Sequence, residues 1–236
     1  MLQYFNGLND FEEMGLLLHF LGKDDMFVDV GANVGVYSIL ASGVAGARSI
    51  AIEPSDETAK ILKRNIAINN LDGAVTHVQC VVGDHRGNIS FTKGLEATNR
   101  VTREEDETRN SELLEEDTLD NLLKSSTPSL IKIDVEGYEL NVLKGARNTL
   151  QKPGLKILLI ETNGLATKYR LNESDIFAIL SEHGFSPCRY SPFSRELLPY
   201  NKEEGKQNNT IFVRDLAYVR SKVKEAEALY VNGLSF

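Results

Sequence analysis

A short apolar run, Met26 to Val30, ends in Gly31-Ala-Asn-Val-Gly35 and passes directly into a second apolar stretch through Ala41. A buried strand, a glycine turn and a helix in that order form a unit that must repeat before both strand faces are covered. It does repeat. Arg48 to Ile52, Ala74 to Val82, Ser129 to Asp134 and Leu155 to Glu161 read as further buried strands, with Asn88 to Thr92 as an extra one. Helices are expected at Asp56 to Asn69 behind a Ser55 cap, at Thr118 to Lys124 and at Glu139 to Leu150. Such alternation predicts a doubly wound α/β sheet, mostly parallel and covered on both faces.

The flanks complete the pattern. Asp10 to Leu21 reads as an amphipathic helix capped by Asp10 and stopped by Gly22, and Ser174 caps a helix running to His183. Phe185 to Tyr190 and Thr210 to Arg214 are the last strands; no helical pattern separates them, so they must pair antiparallel. Asp215 to Val231 reads as a charged helix. No linker divides the chain, and one domain over 1–236 is expected: a helical extension at 1–24, a core at 25–214 and a C-terminal helix at 215–236. The polar stretch Thr92 to Glu112 is expected outside the core, as a mobile loop or a substrate-side lid.

The net charge of -8 argues against a nucleic-acid partner, whose phosphates need Lys and Arg. Cys80 and Cys188 lack metal-ligand spacing, Cys80 at the end of an apolar run reads as a buried thiol, and this usage suits a reducing compartment. No signal-peptide pattern and no membrane-spanning apolar stretch is read, so a cytoplasmic protein without membrane insertion is expected. The oligomeric state stays open.

In an open α/β sheet, ligands bind beyond the carboxyl ends of the strands where strand order reverses. The glycine turn lies at such an end, although ordinary strand-to-helix turns use glycines too. Gly31 allows a sharp turn and close approach to a ligand; Gly35 allows tight packing. Asn33 stands where a pyrophosphate would need glycine, and Asp29 places a carboxylate where phosphate would be repelled. Both suit a ligand with a cationic amino group, such as the methionine moiety of S-adenosylmethionine. Glu53 ends the second strand, where an acid can accept from ribose hydroxyls. Asp84 follows the third strand, near an adenine position, and is equally a turn former.

Phe27 to Gly35 resembles the first motif of the FkbM-type methyltransferases. Asp117-Thr-Leu-Asp120, Leu130-Ile-Lys-Ile-Asp-Val-Glu-Gly-Tyr-Glu139 and Val142-Leu-Lys-Gly-Ala146 resemble its longer and more specific signature. Ile160-Glu161, Leu180 to Tyr190 and Asn209 to Val213 are similar to its later elements, so the likeness spans Asp25 to Arg214. The resemblance implies the seven-stranded class I methyltransferase sheet, Rossmann-like, with its last strand antiparallel. It also implies methyl transfer from S-adenosylmethionine to a hydroxyl, often on a sugar, glycolipid or polyketide. It does not reach 92–112 or either flank, where acceptor choice usually resides.

Asp134, Glu136 and Glu161 sit at strand ends on one rim and are the candidate bases for the acceptor hydroxyl. Three acids could also hold a hard cation such as Mg²⁺, a reading not favoured because their spacing is not diagnostic. Glu136 could instead cap the next helix, Glu139 reads as a first-turn acid, and Lys132 as an ion-pair partner of the rim acids. The four histidines, among them His85 beside Asp84, are weak candidates for the base. Two alternatives stay open: an NAD-dependent oxidoreductase, and a catalytically inactive methyltransferase-fold binding module.

Overall fold

The computed structural model describes residues 8–95, 99–103, 110–201, 208–231 and 233–236. Its main sheet is built from β1 (Met26–Val30), β2 (Arg48–Ile52), β3 (Val75–Val78), β7 (Leu130–Ile133), β8 (Ile157–Glu161), β9 (Ser186–Ser191), β10 (Glu196–Pro199) and β11 (Asn209–Val213). The spatial order is β10-β9-β11-β8-β7-β1-β2-β3, with β1 between β2 and β7 at the point where the order reverses. β3, β2, β1, β7 and β8 are parallel, and β11 runs antiparallel to both β8 and β9. That is the doubly wound sheet expected, with the reversed strand in place. The eighth strand, β10, lies beyond those expected: Glu196–Pro199 pairs with β9 as a hairpin at the sheet edge, where proline is tolerated.

Alternation of side chains sorts the core into two layers. Phe27, Leu130 and Leu159 face α1 (Phe11–Phe20) and α8 (Leu216–Glu225), meeting Leu16, Leu17, Phe20, Val219 and Val223. Val28, Ile131, Ile133 and Leu158 face the other way, against α4 (Leu119–Leu122), α5 (Glu139–Lys144), α6 (Arg147–Gln151) and α7 (Ser174–Glu182). Side chains of this kind contribute roughly 1.5–3 kcal/mol each when fully buried. Asp29 and Lys132 are register partners on β1 and β7. They continue the first layer at its polar end.

Several boundaries differ from expectation, each for a local reason. The third strand is broken at Gln79-Cys80, so Val81–Val82 becomes β4 of a separate small sheet. The helix expected from Glu139 to Leu150 is split at Gly145, where a Cβ would lie 1.9 Å from the Gly83 carbonyl. The apolar stretch after the glycine turn is α2 (Val36–Ile39) continued by a π-helical turn, Leu40–Val44. The C-terminal helix stops at Glu225, and Tyr230–Val231 pairs with Leu234–Ser235 beyond it. Ser55 does cap α3 (Asp56–Ile68) through Thr58 N, but Asp10 makes no capping bond and instead accepts from Tyr37 Oη at 2.7 Å. Ser174 begins α7 rather than capping it, and its own N–H is held by Asn172.

The largest correction concerns 92–112. Part of it, 96–98 and 104–109, lies outside the described residues. The remainder is only partly solvated: Lys93, Gly94, Asn110 and Ser111 are exposed, but Thr92, Arg100 and Val101 are buried, and residues 100–102 bond along β5 (Gly87–Thr92). β5 pairs antiparallel with β6 (Ser111–Asp117), which pairs parallel with β4, making a three-stranded sheet β4-β6-β5 inserted after β3. Strand β6 was missed because Ser-Glu-Leu-Leu-Glu-Glu-Asp is acid-rich; the register that leaves Ser111, Leu113 and Glu115 outward tolerates such composition on one exposed face.

Candidate active site

A cavity of about 570 Å³ opens beyond the carboxyl ends of β1, β2, β7 and β8, at the reversal point, within the size range of small-molecule sites. Of the residues anticipated from sequence, Asp29, Gly31, Asn33, Glu53, Asp134, Glu136 and Glu161 all line it. Gly35 and Asp84 do not. At Gly35 (φ +90°) a Cβ would meet Leu62 Cδ1 at 2.4 Å, so this glycine lets α3 pack against the turn. Gly31 (φ +77°) is needed for the same kind of reason, since its Cβ would lie 1.9 Å from the Asp134 carbonyl. The glycine therefore lets the turn approach the neighbouring strand end closely. Asp84 is exposed and hydrogen-bonded to His85, and Cys80, Val81 and Val82 line the cavity in its place.

At the glycine-turn end the carboxylates are held by fixed donors. Glu53 accepts from Asn33 N at 3.0 Å through Oε2 and from Ser55 N at 2.9 Å through Oε1. Each oxygen retains a lone pair for a further donor. Burial pushes Glu53 up to about 7 against those two bonds, with Asp29 adding to the rise. Asp29 accepts from Ser38 Oγ at 2.7 Å through Oδ2, while its buried Oδ1 has no hydrogen-bond partner among the described residues. Burial raises the Asp29 pKa, opposed chiefly by Lys132. A buried carboxylate oxygen left without a donor is costly and asks for one from a ligand.

The other end is a rim of acids facing one another. One oxygen each from Asp134, Glu136 and Glu161 lies within 4.8 Å of the others, an arrangement open to a hard cation. Lys132 Nζ, buried, bonds Asp134 Oδ2 at 2.8 Å and stands 4.9 Å from the Tyr37 ring centre. Burial would lower the Lys132 pKa, but Asp134 and Asp29 outweigh it and hold the ammonium above its ordinary value. Glu161 has no such cation bonded to it: burial, then Asp134, Glu139 and Glu136, push it up to about 9. Glu136 is raised by burial and by Asp134. Its backbone is left-handed at φ +58°, a conformation found where a site over-determines it. Glu136 does not cap the next helix. The helix has no side-chain cap; Glu139 instead fixes the turn before it, its buried carboxylate accepting from Val135 N and Gly137 N.

The rest of the long motif is structural. Asp120 accepts from Asn148 N and Thr149 N and so anchors α6, while Asp117 accepts from Thr118 N and Asn121 Nδ2. Lining residues not anticipated include Asn9, Asp10 and Met14 at the start of α1, Tyr37, and the apolar group Phe91, Val101 and Tyr138. Tyr138 was readable, standing directly after the glycine that follows the rim acids. Phe91 and Val101 carried no signal, because their position depends on the inserted sheet. Among the lining residues six carboxylates, Asp10, Asp29, Glu53, Asp134, Glu136 and Glu161, face one ammonium, Lys132. Such a surface repels phosphates and attracts cations.

An α/β sheet with this reversal and an acid-lined cavity beyond it is the architecture of the methyltransferase-fold class. The chain belongs to the FkbM methyltransferase family, whose domain model (Methyltransferase FkbM domain) matches residues 29–187. It is 29% identical to the hexuronic acid methyltransferase AglP of Haloferax volcanii, over 80% of this chain and 72% of that protein. It is 28% identical to the methyltransferase sdnD of Sordaria araneosa, over 53% of this chain and 61% of that one. Among solved structures, an FkbM methyltransferase from Methylobacillus flagellatus superposes with a TM-score of 0.56 at 20% identity. That match covers 82% of this chain but only 44% of the other, so the chain spans less than half of that protein. A Streptococcus mutans protein solved with SAH shares the fold at a TM-score of 0.50 and 10% identity, over 85% and 94% of the two chains. Among the described residues no helix is long and apolar enough to cross a membrane.

Proposed function

We propose that this chain transfers a methyl group from S-adenosylmethionine to a hydroxyl of a sugar-type small molecule, with Asp134 as the base. The observation that carries the cofactor half is the acid-lined cavity in which Asp29 Oδ1 is buried without a donor. Asp29 would hold the cofactor's ammonium group and Glu53 its ribose, with Gly31 and Asn33 supplying the turn between them. A dinucleotide, with its pyrophosphate, is poorly suited to the same lining. When bound, S-adenosylmethionine supplies an electrophilic methyl group on a positively charged sulfur.

The chain's own residues then have three tasks. They align the acceptor oxygen, exclude water and take up the hydroxyl proton. Asp134 is preferred for the last task because Lys132 bonds only one of its oxygens, leaving Oδ1 to accept the proton. Glu161, pushed to about 9, carries its own proton at neutral pH and serves as a donor to the acceptor. Glu136 completes the rim. Lys132 supplies the cationic partner that a metal ion would otherwise supply to Asp134, so this reading runs without Mg²⁺ and predicts turnover indifferent to a chelator.

The sugar-type acceptor is supported by the relative named a hexuronic acid methyltransferase. Three rim carboxylates favour a neutral hydroxyl over a carboxylate as the group methylated. Incubation with methyl-labelled S-adenosylmethionine and a panel of neutral glycosides and uronic acids tests this. Label in an alkali-stable ether is expected; label only in an alkali-labile ester would overturn the hydroxyl assignment, and no transfer to any sugar would overturn the acceptor class.

A further inference from the structure

A second cluster of titratable groups lies outside the cavity, in the inserted sheet. Glu116 on β6 is buried, and its Oε1 accepts from Tyr138 Oη at 3.3 Å. Its Oε2 lies 3.5 Å from His85 Nε2, and His85 Nδ1 is 2.7 Å from Asp84 Oδ1. Asp84 and His85 are exposed. Tyr138 is the member of this chain of contacts that reaches the cavity, where it joins Val81, Phe91 and Val101 in one apolar wall. The ring is also braced from behind: it meets Tyr169 edge-on at 5.5 Å, and Tyr169 Oη donates to the Val101 carbonyl at 2.7 Å.

Two glycines are committed to placing Glu116 there. A Cβ on Gly83 would lie 1.7 Å from Glu116 Oε1, and one on Gly145 would lie 1.9 Å from the Gly83 carbonyl. Burying a carboxylate against a solvent-exposed histidine is a poor way to gain stability, because an apolar side chain of similar volume usually does as well. The arrangement therefore asks for a purpose other than packing.

We propose that Glu116 is a positioning residue for the methyl-transfer site, fixing the Tyr138 ring in the cavity wall, and that His85, oriented by Asp84, holds Glu116 in place for that task. This rests on the reading given under Proposed function. The other charged groups around Glu116 are Asp84 on the same turn and the neighbouring Arg86–Asp117 pair at 3.5 Å. Asp84 and then Glu116 raise the His85 pKa, which favours the imidazolium. Burial raises the Glu116 pKa while His85 and the Tyr138 bond oppose the rise. Above the His85 pKa the cation is lost, Glu116 loses its charged partner, and the wall loosens. Ligand affinity should fall with that step.

Calorimetric titration with S-adenosylhomocysteine between pH 6 and 9 tests the proposal, using wild type, His85→Ala, Glu116→Gln and the double variant. His85→Ala, at an exposed position, should bind about two- to fivefold more weakly than wild type at pH 6 to 7, the value of an exposed ion pair. The gap should close by pH 9. In the Glu116→Gln background, where no cation is needed, removing His85 should change nothing. An unchanged affinity for His85→Ala at pH 6 to 7 would overturn the proposal. So would a gap that persists at pH 9 or survives in the Glu116→Gln background. Failure of wild type to bind at all would instead overturn the methyl-transfer reading, and this inference with it.

Discussion

The two ends of the cavity hold carboxylates in opposite ways. At the glycine turn, Glu53 is fixed by two backbone N–H groups and Asp29 by a serine hydroxyl. At the rim, Asp134, Glu136 and Glu161 face one another, and one lysine serves Asp134 directly. Fixed donors preorganise a carboxylate for binding, because its charge and direction do not change when a ligand arrives. Carboxylates crowded together differ in proton content and are poised to exchange protons. On the proposed reading, the first end holds the cofactor and the second handles the acceptor.

If that division is correct, substitutions should separate binding from turnover. The largest effect is expected from Asp134→Asn, which keeps the shape but cannot take a proton. Steady-state kinetics should show turnover lowered ~100-fold or more, with the dissociation constant for S-adenosylhomocysteine little altered. Equal losses in both would erase the distinction between the two ends. Asp29→Ala should do the reverse, weakening cofactor binding about 10- to 100-fold, as expected for losing a hydrogen bond to a charged group. Calorimetry would detect it, and normal binding by this variant would misplace the ammonium site.

The smallest effect is on stability. Glu161 has its folded pKa raised to about 9 from 4.5, so its contribution is complete below about pH 4.5 and is lost as pH rises toward 9. Thermal unfolding at pH 5, 7 and 9 should therefore show a steeper decline for wild type than for Glu161→Gln. Parallel declines would mean that Glu161 is not the proton-bearing member of the rim.

Most of the parallel half of the sheet was legible because a buried strand is a continuous apolar run, and the acids flanking such runs stand out. Asp29, Glu53, Asp134 and Glu161 were found that way, and all four line one cavity. What escaped was set by tertiary contact. Nothing local distinguishes Phe91 or Val101, whose place in the wall depends on the pairing of β5 with residues 100–102. The acid-rich β6 looked like solvated chain, and β10 carried a proline. Asp84 misled for the converse reason: its position after β3 suggested a ligand contact, but the break at Gln79-Cys80 turns it outward to His85.

The central claim is that the glycine-turn end holds S-adenosylmethionine. Calorimetric titration of the wild-type chain with S-adenosylhomocysteine, beside a parallel titration with NADH, tests it most directly. Saturable binding of S-adenosylhomocysteine at one site per chain, with no heat from NADH, is the predicted result. Binding of NADH, or no binding of S-adenosylhomocysteine, would contradict it.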